Sequence, residues 1–293
     1  MRGFYGHSHV SSGIVGVIHG WKQAAFACSL LVALTFGRAA QAAEIAFQSQ
    51  DGRRIVVAAE ARTRITLDGV LDEDVWRTAM PASDFVQAEP HEGDAATERT
   101  EVRLAFDHNA LYIGVFCRDS ASSGLIVNDI RKDFAAGEQD TFEVILDTFA
   151  DRRNGFVFVT NPLGAKSDTQ IANEGREVNT SWDAVWSVAT KVGPDGWSAE
   201  LRIPFKTLRF ERGADRVWGV NFSRRIRRKN ETDYWSPVPR VYNLYRASLG
   251  ARCPGYPTRA RDETCASSRG PRRMRRVRRA AFGSTIGSRR AWT

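Results

Sequence analysis

The chain has 293 residues, 42% of them hydrophobic, and a formal charge of +8 at pH 7. Its four cysteines exclude a disulfide-dense scaffold. Residues 251–293 hold 12 of the 42 basic and two of the 34 acidic residues and carry +10, so the rest, with 30 basic against 32 acidic, is at −2 and any nucleic-acid reading rests on that end alone.

The N-terminus reads as an export signal. Lys22 precedes the apolar run Ala24–Phe36, and Ala40-Gln-Ala42 supplies a small-x-small cleavage pattern. The run has 13 residues, whereas a membrane-crossing helix needs about 20. The expected organisation is a signal peptide over 1–42, a lead segment over 43–61, one domain over 62–250 and a disordered, Arg-rich tail over 251–293. Arg without Lys, among Ala, Gly, Pro, Ser and Cys, reads best as out-of-frame translation of a GC-rich gene or a truncation. An inert solvated end and a nucleic-acid arm are the other readings. Cys117 alone falls within the domain, on an apolar strand, and reads as a small buried hydrophobe.

Within the domain the pattern has period two, broken by turn residues. Val102, Leu104 and Phe106 alternate with polar or small neighbours. After the Asp107–Ala110 turn, Leu111, Ile113, Val115 and Cys117 form the facing row of a hairpin. Phe142, Val144 and Leu146 follow, and Asp151–Gly155 turns the chain into Phe156–Thr160. Trp197, Ala199, Leu201 and Ile203 share one face of a later strand, and Trp218, Val220 and Phe222 share one face of the last. A single helix is expected over Leu71–Met80, with Asp72 as its N-cap. Many antiparallel strands, one short helix and no βαβ alternation predict an all-β antiparallel sandwich.

Five segments occur in one order: Ile65-Thr-Leu-Asp-Gly-Val-Leu-Asp-Glu-Asp-Val-Trp76, Asp147–Phe156, Asn161-Pro-Leu-Gly164, Asp195–Phe205 and Trp218-Gly-Val-Asn-Phe222. Together they resemble the family-9 carbohydrate-binding module, in the version found at the front of bacterial outer-membrane proteins with a C-terminal domain of unknown function. The resemblance covers about residues 62–250. It implies a jelly roll, sugar held between aromatic rings, a link to polysaccharide breakdown and possible structural calcium. It also implies a carbohydrate ligand and an outer-membrane barrel as a possible partner, while the charge split between body and tail speaks against a specific nucleic-acid partner.

The residues themselves offer little catalytic chemistry. His91 and His108 sit in turns, and no nucleophile elbow, Walker loop or dinucleotide fingerprint is present. Glu143 and Asp147 share one face of a strand, about 13 Å apart along it, too wide for a glycosidase pair. A cross-strand pair such as Glu143 with Glu200 stays open, though such carboxylates are expected to face solvent or to pair with Arg103 and Arg202. Asp140, Asp147 and Asp151 are candidate calcium ligands without a linear motif. Among the tryptophans of the domain, Trp76, Trp197 and Trp218 lie on core rows, and Trp186 begins a strand. Trp182 and Trp235, in polar, turn-rich segments, are the candidate sugar-stacking residues. The expected function is an exported, non-catalytic carbohydrate-binding module. The alternative is a periplasmic structural domain that docks on an outer-membrane barrel without sugar affinity.

Overall fold

Among the described residues the chain forms thirteen strands. They are β1 (Ala59–Glu60), β2 (Val86–Glu89), β3 (Thr100–Phe106), β4 (Ala110–Arg118), β5 (Thr141–Asp147), β6 (Gly155–Thr160), β7 (Lys166–Ala172), β8 (Glu177–Asn179), β9 (Ser187–Gly193), β10 (Gly196–Pro204), β11 (Val217–Ile226), β12 (Glu231–Tyr234) and β13 (Ala251–Pro254). The computed structural model describes residues 52–210 and 217–254. The expected signal peptide and most of the expected tail lie outside the described residues.

The strands form two sheets. One has five strands in the order β1-β3-β4-β10-β9. The other has eight, in the order β2-β12-β11-β5-β6-β7-β8, with β13 paired to β11. All pairings are antiparallel except β1 with β3. Alternate side chains point to opposite faces of a strand, so the apolar rows meet between the sheets. Val102, Leu104, Ile113, Val115, Trp197, Ala199 and Leu201 of the smaller sheet pack against Phe142, Val144, Phe156, Phe158, Trp218, Val220 and Phe222 of the larger. Two further clusters lie on the outer faces. Trp76 and Val75 cover Ala105 and Tyr112, while Val238 and Leu244 cover Ile145 and Val157.

The expected antiparallel sandwich and its Trp197-Ala199-Leu201 core row are present. Helix α1 (Asp74–Thr78) has five residues, shorter than the expected Leu71–Met80. Its N-cap is Glu73 rather than Asp72, and no side chain caps it, because the Glu73 carboxylate accepts the Thr66 N–H at 2.8 Å instead. The domain also reaches past both expected boundaries. Val56 and Cys253, 0% and 1% exposed, lie in the inter-sheet core. An isolated Ile55–Arg252 bridge joins the segment before β1 to β13, with Val56 N–H donating to Arg252 O and Arg252 N–H to Arg54 O, both at 3.0 Å. Residues 251–254 are therefore a strand of the sandwich and not part of a disordered tail. Cys117 is fully buried as expected, and burial pushes its thiol up to about 11.

A polar cluster is enclosed near the end of the core. Asp233 is 0% exposed, and neither carboxyl oxygen has a hydrogen-bond partner. Arg224 stands opposite it in the β11–β12 register. The Arg224 guanidinium instead donates to Arg99 O and Thr100 Oγ1 and approaches Asp119 at 3.6 Å. Burial, reinforced by the adjacent Glu231, pushes the Asp233 carboxyl up to about 8.

Two outcomes follow from this packing. Trp197 is 1% exposed and its indole N–H lacks a partner. Trp197→Ala should cost about 3–5 kcal/mol in denaturant unfolding, and Trp197→Phe should cost much less, because it removes the unpaired donor while keeping a ring. Asp233 keeps its proton in the folded chain while the unfolded chain ionises near the ordinary value of about 4. Its contribution to stability should therefore be greatest below about pH 4 and decline up to about pH 8. Unfolding of Asp233→Asn across that range should lack this component of the slope.

Candidate functional site

The larger sheet continues past β6 into β7 and β8, and its inner face there is closed by a loop rather than by a strand of the smaller sheet. In the register, Phe158 opposes Asp168, Phe156 opposes Gln170, and Gln170 opposes Asn179. Because Phe156 and Phe158 face the core, Asp168, Gln170 and Asn179 extend the same face outward. Apolar residues give way to polar ones along that row. Asp168 is buried, Gln170 is half-buried and Asn179 is exposed.

The loop after β8 folds back over this face. Ser181 N–H donates to Asn179 Oδ1 at 3.2 Å, which turns the chain. The Trp182 ring then lies 4.8 Å from Phe156 and 6.0 Å from Phe158, centroid to centroid. Trp186 meets Phe158 edge-on at 5.3 Å. Asp168 fastens the loop: its Oδ2 accepts Ala184 N–H at 2.7 Å and its Oδ1 accepts Trp186 Nε1–H at 3.0 Å. Lys166 donates to Trp186 O at 3.0 Å, with its ammonium 5.5 Å from the Trp186 ring centroid.

From the loop before β5, Lys132 reaches the same edge. Its ammonium lies 2.5 Å from Asp183 Oδ1 and 3.7 Å from Asp168 Oδ1. The hydrogen bond to Asp183 raises the Lys132 pKa above its ordinary value. The edge thus has a half-exposed indole with one face packed on phenylalanines. Beside it stand two amides, Gln170 and Asn179, and a matched ion pair. Such a set stacks on an apolar ring face and gives directional hydrogen bonds to hydroxyls.

The two tryptophans singled out by their surroundings in the sequence part company here. Trp182 sits at this edge. Trp235 does not: it is 2% exposed, packs 5.4 Å from Phe222 in the inter-sheet core, and lies under the Arg54 guanidinium at 6.0 Å. Its polar neighbours in sequence mislead, because β12 carries polar residues that are themselves buried. Trp186 is more deeply buried than a strand-start position suggests, at 3% exposure. Gln170, Asn179, Lys132 and Asp183 carried no individual signal in the sequence beyond the position of Asn179 and Asp183 beside Trp182.

The carboxylate candidates do not assemble. Glu143 points to the outer face of the larger sheet, on the side of Ile145, and burial raises its pKa. Glu200 points to the outer face of the smaller sheet, beneath Trp76, so the two face away from each other across the sandwich. Asp147 is buried rather than solvent-facing, and it accepts the N–H groups of Arg152 at 2.8 Å and Asp151 at 3.3 Å. Arg103 pairs with Glu101 and Arg202 donates to Tyr112 Oη, so neither serves Glu143 or Asp147. The calcium candidates do not fit a cage. Asp140 and Asp147 stand at opposite ends of β5, Asp140 Oδ2 accepts Ile126 N–H at 2.5 Å, and among the described residues no three His, Cys, Asp or Glu side chains are grouped to hold a metal ion. His91 and His108 are exposed.

A family model described as carbohydrate family 9 binding domain-like matches residues 67–232. A family 9 carbohydrate-binding module from Caldicellulosiruptor kristjanssonii, solved in complex with cellotriose, superposes with a TM-score of 0.51 at 18% identity, covering 74% of this chain and 100% of that one. The same organism's module in complex with glucose gives 0.50 at 17% identity, covering 68% and 94%. A Bacteroides uniformis protein with a proposed carbohydrate-binding role gives 0.56 at 10% identity, covering 69% and 99%. These likenesses show a shared fold. No curated protein matches the chain.

Proposed function

The chain belongs to the carbohydrate family 9 binding domain-like family, and from that premise we propose that it is an exported, non-catalytic carbohydrate-binding module whose ligand docks on Trp182. The observation that carries this reading is the half-exposed indole at the open edge of β7 and β8, flanked by the Gln170 and Asn179 amides. The Lys132 ammonium at this edge is met by Asp183, Asp168 and Asp133 at 2.5, 3.7 and 3.9 Å, so its charge is locally paired, which suits a neutral oligosaccharide. Cellotriose and glucose, the ligands of the two Caldicellulosiruptor modules, give the first compounds to try. Export by the leader over 1–42 and residence in the periplasm or at the outer membrane, beside a barrel partner and in the service of polysaccharide breakdown, complete the proposal.

Titration of the protein with cello-, xylo- and malto-oligosaccharides should change tryptophan fluorescence with at least one series. Trp182→Ala should weaken that binding at least tenfold, about 1.4 kcal/mol. It should lower stability by about 1–2 kcal/mol, since the ring also packs on two phenylalanines. Trp235→Ala should instead destabilise the fold by about 3–5 kcal/mol, as a buried aromatic does. Silence toward every series would shift the function to docking on a protein partner.

A further inference from the structure

The outer face of the five-stranded sheet carries a second feature, made of residues other than those of the Trp182 edge. The strand registers place Glu101, Phe116, Ser198 and Lys191 in one outward row across β3, β4, β10 and β9. Arg99 and Arg103 flank Glu101 on the same side of β3, and Arg118 flanks Phe116 on β4. The neighbouring row is covered, since Leu71 and Trp76 press onto Gly114 so closely that a Cβ there would lie 2.9 Å and 3.0 Å from them. The Glu101 row lies beyond that cover, with Arg99, Arg118 and Lys191 exposed.

Each guanidinium is held in a set direction. Glu101 Oε1 takes Arg99 Nε at 2.9 Å, and Glu101 Oε2 takes Arg103 Nη2 at 3.0 Å. Arg118 stacks on Phe116, 5.5 Å from the ring centroid. Arg103 Nε is buried without a partner. An arginine has five donors, so the exposed Arg99, bound to Glu101 through Nε, keeps most of its hydrogen-bonding capacity for a ligand, whereas the buried Nε of the half-buried Arg103 is out of a ligand's reach. Arg99, Arg103, Arg118 and Lys191 against Glu101 give the patch +3, on a body whose residues before 251 total −2.

We propose that this face binds an anionic polysaccharide through repeated carboxylate or sulfate groups. The row crosses three strand spacings, about 14 Å. A single exposed ion pair contributes about 0–1 kcal/mol, so a charged monosaccharide gains little here. A polymer gains by engaging several guanidiniums at once, and preorganised arginine forks match carboxylate and sulfate geometry. The choice of a polysaccharide among polyanions rests on the carbohydrate-binding reading, whereas the residues are distinct from Trp182 and its neighbours.

The test titrates the full-length protein with polygalacturonate, dextran sulfate, neutral dextran and a random-sequence DNA oligonucleotide, at about 50 and about 200 mM salt, a range over which polyanion contacts weaken measurably. Arg99→Ser/Arg118→Ser is compared with Arg275→Ser/Arg276→Ser, which removes the same charge from the Arg-rich segment. The two acidic polymers should bind and neutral dextran should not. The sheet-face variant should lose at least about tenfold of that affinity and show a shallower salt dependence, with an unchanged melting temperature. The matched variant should stay within about twofold of the wild type. Equal affinity of the sheet-face variant and wild type, or an equal loss in the matched variant, overturns the proposal. So does DNA bound as tightly as the acidic polymers and lost with the same two arginines. Cellotriose fluorescence, read in parallel, reports separately on the Trp182 edge: its absence, with acidic-polymer binding as expected, would count against the neutral-sugar reading and leave the basic face standing.

Discussion

Glu200 ties three parts of the chain together through one carboxylate. Its Oε2 accepts the N–H groups of Asp68 at 3.0 Å and Gly69 at 2.9 Å, and its Oε1 accepts the Trp76 indole N–H at 3.0 Å. The residue is 0% exposed, and burial raises its pKa despite these three donors. Hydrogen bonds to a charged group contribute about 1.5–3 kcal/mol each, while leaving such donors unmet costs a comparable amount. The turn it holds admits little but glycine. Gly69 has φ +82, and a Cβ there would lie 2.6 Å from the Thr190 backbone carbon. The Leu67-Asp-Gly turn therefore lies flat on β9, and helix α1 closes over Tyr112 and Ala105. Since β10 runs between β4 and the edge strand β9, this one side chain fixes the cover over that side of the smaller sheet. The spacing from Asp68 and Gly69 to Trp76 is thus the spacing that one carboxylate can bridge.

Much of this was legible in the chain. Rows such as Trp197-Ala199-Leu201 and Leu111-Ile113-Val115 alternate cleanly because one face of each strand is buried and the other is not. The ends were less legible. Ile55–Val56 and Ala251–Cys253 are too short to show a period; Ala251–Pro254 becomes a strand by pairing with β11, and Ile55 is held to it by an isolated bridge to Arg252. Trp235 was misplaced for a related reason. β12 is buried on both faces, so its polar residues Thr232 and Asp233 and its aromatic neighbours are all enclosed. Polar neighbours in sequence then say nothing about exposure. The site at Trp182 was half legible: the indole stood out, while Gln170 and Lys132 are brought to it by register and loop geometry that period counting does not reach.

The two proposed surfaces use the sandwich in different ways. At the edge of β7 and β8 the larger sheet exchanges an apolar row for a polar one, and Trp182 stands where the two meet. Its ring rests on Phe156 and Phe158 and so loses little freedom when a ligand stacks on it. The Arg99–Arg103–Arg118 face instead lies across the strands of the smaller sheet, and its order comes from Glu101 and Phe116. One surface suits a neutral ring with directional hydroxyls, the other an extended chain of like charges. Residues 251–293 carry +10 and the rest of the chain −2, so salt-dependent binding to polyanions has to be separated from that segment before it is credited to the sheet.

The central claim is that sugar meets this protein at one indole. Trp76, Trp186, Trp197, Trp218 and Trp235 are all 3% exposed or less, whereas Trp182 is half-buried. Indole N–H resonances in a nitrogen-15 correlation spectrum, assigned by single Trp→Phe substitutions, test this directly during a cello-oligosaccharide titration. The account predicts a large, saturable shift of the Trp182 resonance with the five buried indoles nearly unmoved. A saturable shift centred on another tryptophan, or no shift with any glycan that binds, would contradict it.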